Sequence, residues 1–250
     1  MIITSLENDK IKNYIKLKEK KYRDFNHQFL IEGLHLIEEA QKENLVDELI
    51  VEIGCDIGWN LPTIQVTREI IKKLSSLDNP PSPTILAICH KKVEDLDFKN
   101  KILLLDNIQD PGNLGTIIRS SKAFNVDTII LSEDTVDLYN PKVIRSTQGI
   151  MFHINIVRKD LKEVISFLKK EKVPIYGTNV ETGIDIQTLS SNDTEKYALI
   201  MGNEGQGVKK EILDLCDQYI YISMNEEVES LNVGVATSIL LYELNRRNTC

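Results

Sequence analysis

The sequence predicts an α/β protein of two units, the larger one built on a parallel sheet, and three observations carry that prediction. Apolar runs of strand length alternate with helical patterns from residue 101 to residue 246. The stretch Lys101–Leu131, KILLLDNIQDPGNLGTIIRSSKAFNVDTIIL, reads as strand, loop, helix and strand, the length of a βαβ crossover. The segment His90–Asn100 is polar, charged and without period, and separates this pattern from a shorter α/β pattern before it. The expected division is a small α/β domain over 1–92, a linker over 93–100 and a larger α/β domain over 101–250.

Composition narrows the function classes. At 250 residues, with 42% apolar and 27% charged side chains, the chain has the make-up of an ordinary globular protein. Its apolar runs fall far short of a membrane span, and MIITSLENDK lacks the apolar core of a signal peptide, so a cytoplasmic protein is expected. Four scattered cysteines, Cys55, Cys89, Cys216 and Cys250, form no CxxC pair and read as reduced structural thiols. Neither HExxH nor a carboxylate cluster calls for a metal. A net charge of −8 argues against nonspecific nucleic-acid binding. Charge is unevenly placed, however: Lys12, Lys16 and Lys20 recur at i, i+4 with Arg23 after them, a basic stripe if the segment is helical. On composition alone that stripe is a solvated face.

Taken in order, residues 8–22 read as an amphipathic helix with Ile11, Tyr14 and Ile15 inward, and Glu32–Lys42 as a second helix. Strand-like runs follow at Glu48–Ile53 and Thr63–Val66, then a helix through Leu74 that Thr67 caps. Asn79–Pro83 breaks the pattern before a strand at Thr84–Cys89. Beyond the linker, the opening βαβ unit places Leu114, Ile117 and Ile118 on one helix face. A helix near Pro141–Met151, a strand at His153–Val157, a helix at Leu161–Lys170 and a strand at Val173–Thr178 come next. A helical turn ending at Ser191, a strand at Tyr197–Met201, a helix near Lys209–Leu215, a strand at Tyr219–Ser223 and a helix over Leu231–Arg246 complete the chain.

Three loops, Asp106–Asn113, Gly202–Gly207 and Met224–Glu229, follow strands of this sheet and converge at its carboxyl edge, where such sheets bind ligands. The first holds Asp110 and Asn113, with Arg119 in the helix behind it. The second, GNEGQG, is neither a phosphate loop nor a dinucleotide fingerprint, but its glycines admit a close backbone approach. Asn203 and Glu204 in it exceed what a tight turn requires. Ser230 suits a helix N-cap, and Asn232 in a first helical turn implies a hydrogen-bonding duty. Gly234, Ala236 and Ser238 allow another element or subunit to come close.

These segments, DNIQDPGNLGTIIRSSKAFNVDTIIL, ALIMGNEGQGV and YISM…ESLNVGVATSILLYEL, resemble in order and spacing the three signature motifs of the SpoU-type (TrmH-like) RNA methyltransferases of the SPOUT superfamily. KYRDFNHQFLIEGLHLIEEA, with Arg23, Glu32 and Gly33, resembles that group's L30e-like substrate-binding domain. Thr147 in RSTQGIMF departs from the family's serine but keeps the hydroxyl.

The resemblance implies a deep trefoil knot, a homodimer, and S-adenosylmethionine (AdoMet) as cofactor. The implied AdoMet contacts are Thr178, Asn179, Met201, Gly202, Asn203, Gly207, Ile222, Ser223, Met224 and Leu231. The implied reaction is methylation of a ribose 2′-hydroxyl in RNA, ribosomal RNA favoured over tRNA. Arg119, Asn113, Glu204, Ser230 and Asn232 are the implied catalytic set, and Lys12, Lys16, Lys20 and Arg23 become an RNA-facing stripe. A guanidinium with a pKa above about 12 is a poor base, so Arg119 suits a phosphate clamp that also stabilises the developing alkoxide. Asn113 would orient Arg119 or the loop. The rival readings are a tRNA methyltransferase, a non-catalytic knotted RNA-binding module, and another nucleotide-dependent enzyme, which the missing phosphate fingerprints oppose.

Overall fold

The computed structural model describes residues 1–94, 98–179, 183–189, 195–225 and 227–246. Ser191, Cys250 and residues 95–97 of the expected linker therefore lie outside the described residues. Among the described residues, no helix is long and apolar enough to cross a membrane. The chain forms two units, one of Met1–Val93 with Asp137–Phe152, the other of Glu94–Val136 with His153–Cys250.

The first unit carries a five-stranded mixed sheet of β1 (Ile2–Ile3), β2 (Gln28–Glu32), β3 (Val46–Glu52), β4 (Thr63–Val66) and β5 (Ile85–His90), in the order β1-β4-β3-β5-β2. Its core joins Ile50, Ile64, Leu86 and Ile88 to Ile11 and Leu17, and to Ile70, Ile71 and Leu74 of the helix Arg68–Leu74. Thr67 caps that helix, its Oγ1 accepting from Ile70 N at 3.4 Å.

The helix expected over 8–22 is two helices, α1 (Asp9–Lys16) and α2 (Lys20–Asn26). In one continuous helix Leu17, six residues after Ile11, would point about 120° away from it. The break at Leu17–Glu19 turns Leu17 inward to 3% exposure and also turns Arg23 inward, to 5%. Arg23 donates to the carbonyls of Leu17 and Lys18, both at 2.7 Å, and to the Asp137 carboxylate. It is therefore a structural group and leaves the predicted RNA-facing stripe. A charge this buried persists only when paired and hydrogen-bonded.

Two further expectations change in this unit. Gln28–Glu32 is a strand whose burial alternates, so Glu32 ends a strand instead of opening a helix. Gly33 turns the chain at φ +97° into α3 (Leu34–Lys42), and Glu32 accepts from Ser75 Oγ at 2.7 Å.

Residues 137–152, expected within the larger domain, pack instead in the first unit. They include α4 (Pro141–Thr147). Phe29, 1% exposed on β2, lies 4.7 Å from the Tyr139 ring and 6.1 Å from Phe152. Lys91 Nζ stands 4.7 Å over Tyr139, and Lys92 Nζ donates to Phe152 O at 3.0 Å. Tyr139 and Phe152 thus cover the Phe29 side of β2 from a segment more than a hundred residues away.

The second unit is an all-parallel seven-stranded sheet of β6 (Lys101–Leu105), β7 (Thr128–Leu131), β8 (Asn155–Arg158), β9 (Ile175–Thr178), β10 (Ile184–Asp185), β11 (Tyr197–Met201) and β12 (Gln218–Tyr221). Its order is β10-β12-β9-β11-β6-β7-β8. β6 and β11 are central and nearly wholly buried, as their continuous apolar runs require. On one face Ile102, Leu104, Ala198 and Ile200 pack against Val164, Ile165 and Leu168 of α5 (Leu161–Lys170) and against Ile212. Two further helices, α6 (Pro111–Ala123) and α7 (Val233–Arg246), pack against each other. Burial pushes the Cys216 thiol up to about 11 and raises Cys89 as well, so both thiols stay protonated at neutral pH.

Candidate active site

The carboxyl ends of β6, β11 and β12 each release a loop, and side chains lock these loops together. After β6, Asp106 is buried and accepts Lys209 N at 2.8 Å, which pins the far end of the glycine loop. Asp110 caps α6 by accepting Asn113 N at 2.8 Å, with Pro111 in the first turn, where its missing N–H costs nothing.

After β11, Asn203 and Gly207 exchange backbone hydrogen bonds at 2.9 and 3.0 Å and close a tight loop. Asn203 Oδ1 accepts from Gly205 N and Gln206 N, while its Nδ2 donates to Asn107 O at 2.9 Å. Gly202 is obligatory here, since a Cβ on it would lie 2.1 Å from the Gly207 carbonyl carbon.

Glu204 joins the first two loops. Its Oε1 accepts from Asn113 Nδ2 at 3.0 Å and Asp110 N at 3.1 Å, and its Oε2 from Gln109 N at 3.3 Å. Partial burial works against the charged carboxylate, but the Asn113 amide and the backbone N–H groups outweigh it and hold Glu204 below its ordinary range. The third loop joins through Asn232, whose Nδ2 donates to Asn113 Oδ1 at 2.9 Å. Asn232 Oδ1 accepts from Gly234 N and Val235 N at 2.9 and 3.3 Å, so Asn232 caps α7, and not Ser230. The helix accordingly begins at Val233, two residues later than expected.

The small residues of α7 divide their duties. Gly234 lets Thr116 of α6 approach, since a Cβ there would sit 3.2 Å from Thr116 Cγ2. Ser238 Oγ lies 2.6 Å from Ser120 Oγ. Ala236 instead lines a cavity.

That cavity, of about 280 Å³, opens among the ends of β9, β11 and β12 and the start of α7. Thr178, Asn179, Met201, Gly202, Asn203, Gly207, Ile222, Met224 and Leu231, all expected cofactor contacts, line it. Ser223 does not: it is exposed between Ile222 and Met224. Glu204 and Ser230, expected in catalysis, border the same space. Sequence reasoning missed its apolar walls, Ile220, Tyr221, Val233 and Leu240, whose only signal was membership of a strand and helix adjoining a loop.

Arg119 is exposed on α6 next to Ser120 and has no hydrogen-bond or ion-pair partner among the described residues. The structure thus joins Asn113, Glu204 and Asn232 in one chain of hydrogen bonds and leaves Arg119 outside it. Asn113 orients the loop, not the arginine. Lys12, Lys16 and Lys20 are exposed, with Lys12 paired to Glu7 and Lys20 to Asp24 at 2.6 and 2.7 Å.

Comparison with known proteins agrees with this layout. The model of the SpoU rRNA Methylase family matches residues 100–242, and that of an MRM3-like substrate binding domain matches residues 8–84. The chain is 39% identical over 247 residues to the 23S rRNA (guanosine(2553)-2′-O)-methyltransferase RlmP of Bacillus subtilis, covering 97% of this chain and 98% of the relative. An AdoMet-bound rRNA methyltransferase from Sinorhizobium meliloti superposes with a TM-score of 0.87 at 27% identity, covering 100% of this chain and 99% of the other. A crystal structure of an RNA 2′-O ribose methyltransferase gives 0.82 at 28% identity, with 100% of both chains covered. With residues 100–242 matched by the family model and 97% of the chain by a curated relative at 39% identity, the chain belongs to the SpoU rRNA methylase family.

Proposed function

We propose that this protein methylates a ribose 2′-hydroxyl of 23S ribosomal RNA with AdoMet. The observation that carries the reading is the Glu204–Asn113–Asn232 chain, which fixes three loops around a cavity and leaves Arg119 exposed on α6, without a partner among the described residues. The likeness to RlmP over 97% of the chain supports the substrate class.

The cavity suits AdoMet by its chemistry. Met201, Ile222 and Leu231 line it together with apolar walls from Ile220, Val233 and Leu240 and polar groups at Thr178, Asn179 and Asn203, a setting for a base and an aliphatic chain. When bound, AdoMet supplies a methyl group already activated on a sulfonium, so the chain needs no nucleophile of its own. Its residues need only align the 2′-oxygen and ease loss of the hydroxyl proton. Arg119 clamps the adjacent phosphate and stabilises the oxygen as negative charge develops on it. Glu204 is ionised but committed to three hydrogen bonds, so it holds the loops and is a poor proton acceptor. The proton passes to water.

The same reading places the protein in the cytoplasm as a homodimer. Val235 and Tyr242, 46% and 49% exposed on α7, offer an apolar strip for a second copy. It also takes the family's trefoil knot to form where the chain leaves edge-side β12 and returns through α7 onto α6.

Transfer of labelled methyl from AdoMet to separated ribosomal RNA and tRNA, followed by nucleoside digestion, tests the proposal. Label on a 2′-O-methyl nucleoside of the ribosomal pool is the expected result; label only in tRNA, or none alongside intact AdoMet binding, overturns it. Arg119→Ala is expected to lower transfer at least 100-fold with AdoMet affinity within about twofold of the parent. An equal loss of both would remove Arg119 from its role.

A further inference from the structure

Phe25 is 82% exposed on α2, the most exposed aromatic side chain among the described residues, and it makes no ring contact there. A lone exposed apolar side chain is ordinary on a protein surface, and Phe25 gains meaning only from the charges that share its segment. Lys21 and Tyr22 precede it by four and three residues and so share its helix face. Lys21 Nζ stands 4.7 Å and Lys16 Nζ 5.7 Å from the Tyr22 ring centroid. Lys10–Phe25 carries seven basic and two acidic side chains within a chain of net charge −8, so this is a local reversal of sign.

Basic side chains around an open aromatic face match one kind of partner. A second protein surface would be met by a larger apolar patch, whereas Phe25 is a single exposed ring in a basic segment, next to Tyr22, whose ring carries two ammonium groups. An unpaired nucleotide needs both parts, a ring face for its base and cations for the phosphates on either side.

We propose that Phe25 is a stacking platform for an unpaired base of the RNA substrate, with Lys16 and Lys21 holding the flanking phosphates. The proposal rests on the reading of the protein as an RNA methyltransferase and adds the contact by which the first unit selects an unpaired segment.

Binding of the full-length protein to a 23S ribosomal RNA fragment and to an unstructured twelve-nucleotide RNA, each titrated across salt concentrations, tests it. Phe25→Ala is expected to weaken both complexes about 5- to 100-fold with an unchanged salt slope, and Phe25→Tyr to restore them. A Lys16→Ala/Lys21→Ala variant is expected to flatten the slope of log affinity against log salt by about 1 to 2 units. AdoMet affinity serves as the control for folding. Parent-like RNA binding by Phe25→Ala, or failure of the parent to bind either RNA, overturns the platform. Loss of methyl transfer to ribosomal RNA by the parent, with Phe25-dependent binding intact, overturns the enzymatic reading and leaves the platform standing.

Discussion

Glu204 and Asn113 show how a single amide sets the charge state of the candidate site. Asn113 presents its Nδ2 to Glu204 at 3.0 Å and its Oδ1 to Asn232 at 2.9 Å, so it is donor to one loop and acceptor from another. Replacing it by aspartate puts two carboxylates in contact, and the pair then titrates at a raised value because both cannot ionise cheaply. A carboxyl raised in the folded state stabilises as pH falls. Asn113→Asp should therefore melt well below the parent at pH 8, with the gap closing towards about pH 5 as the pair takes up a proton. In the parent the sign is opposite: Glu204 is lowered, and its contribution is lost only as pH falls below the ordinary carboxylate range of about 4.3. Thermal melts of both proteins between pH 4 and pH 8 check this; parallel curves would detach Glu204 from Asn113. At this scale the sequence was partly legible. Glu204 stood out because a polar side chain in a glycine turn exceeds what the turn needs, Asn232 because asparagine is a poor helix former in a first turn, and Asn113 through the family resemblance. Which of Ser230 and Asn232 caps α7 was not legible, since both types cap helices and only the third dimension decides.

At the scale of elements, α1 and α2 show why a regular spacing of lysines misleads. The i, i+4 pattern is continuous in sequence, yet the backbone breaks at Leu17–Glu19 because burial of Leu17 and Arg23 outweighs one more turn of helix. Arg23→Met should destabilise the first unit by about 3 kcal/mol, as removal of one partner from a buried pair leaves Asp137 uncompensated. Urea unfolding measures that loss, and the salt slope of RNA binding should stay as in the parent. A loss below about 1 kcal/mol would return Arg23 to the surface. Helices with a cap, a period and a stop, such as Leu161–Lys170 behind Asp160, were readable because each signal is local. β2 was not, because Phe29 and Ile31 declare a strand only once Tyr139 and Phe152 cover it. The two-residue strand β10 carries too few side chains to show a period at all.

For the whole molecule, the parallel order of β6, β7, β8, β9, β11 and β12 was legible from alternation, and the mixed sheet of the first unit was not. Antiparallel pairing of β5 with both β2 and β3 depends on which strands meet across the sheet, which spacing does not encode. The first unit is also discontinuous, with 137–152 supplying Asp137, Tyr139 and Phe152 to residues before 93. A fragment ending at residue 93 should consequently expose Phe29 and leave Arg23 buried without its carboxylate. Such a fragment is expected to bind a hydrophobic dye and to lack a cooperative melt, and adding the 137–152 peptide should restore part of the transition. A fragment that melts as sharply as the first unit of the full chain would show that the segment is dispensable.

Discontinuity also imposes a timetable on synthesis. The ribosome releases residues in order, at about 5–20 per second, so the aromatic face of β2 emerges seconds before the segment that covers it. Throughout that interval the nascent chain carries an uncovered strand, a lone arginine and a run of lysines beside the RNA-rich surface of the machine that makes it. The first unit, though first in the sequence, closes only after Glu94–Val136 of the second has been made.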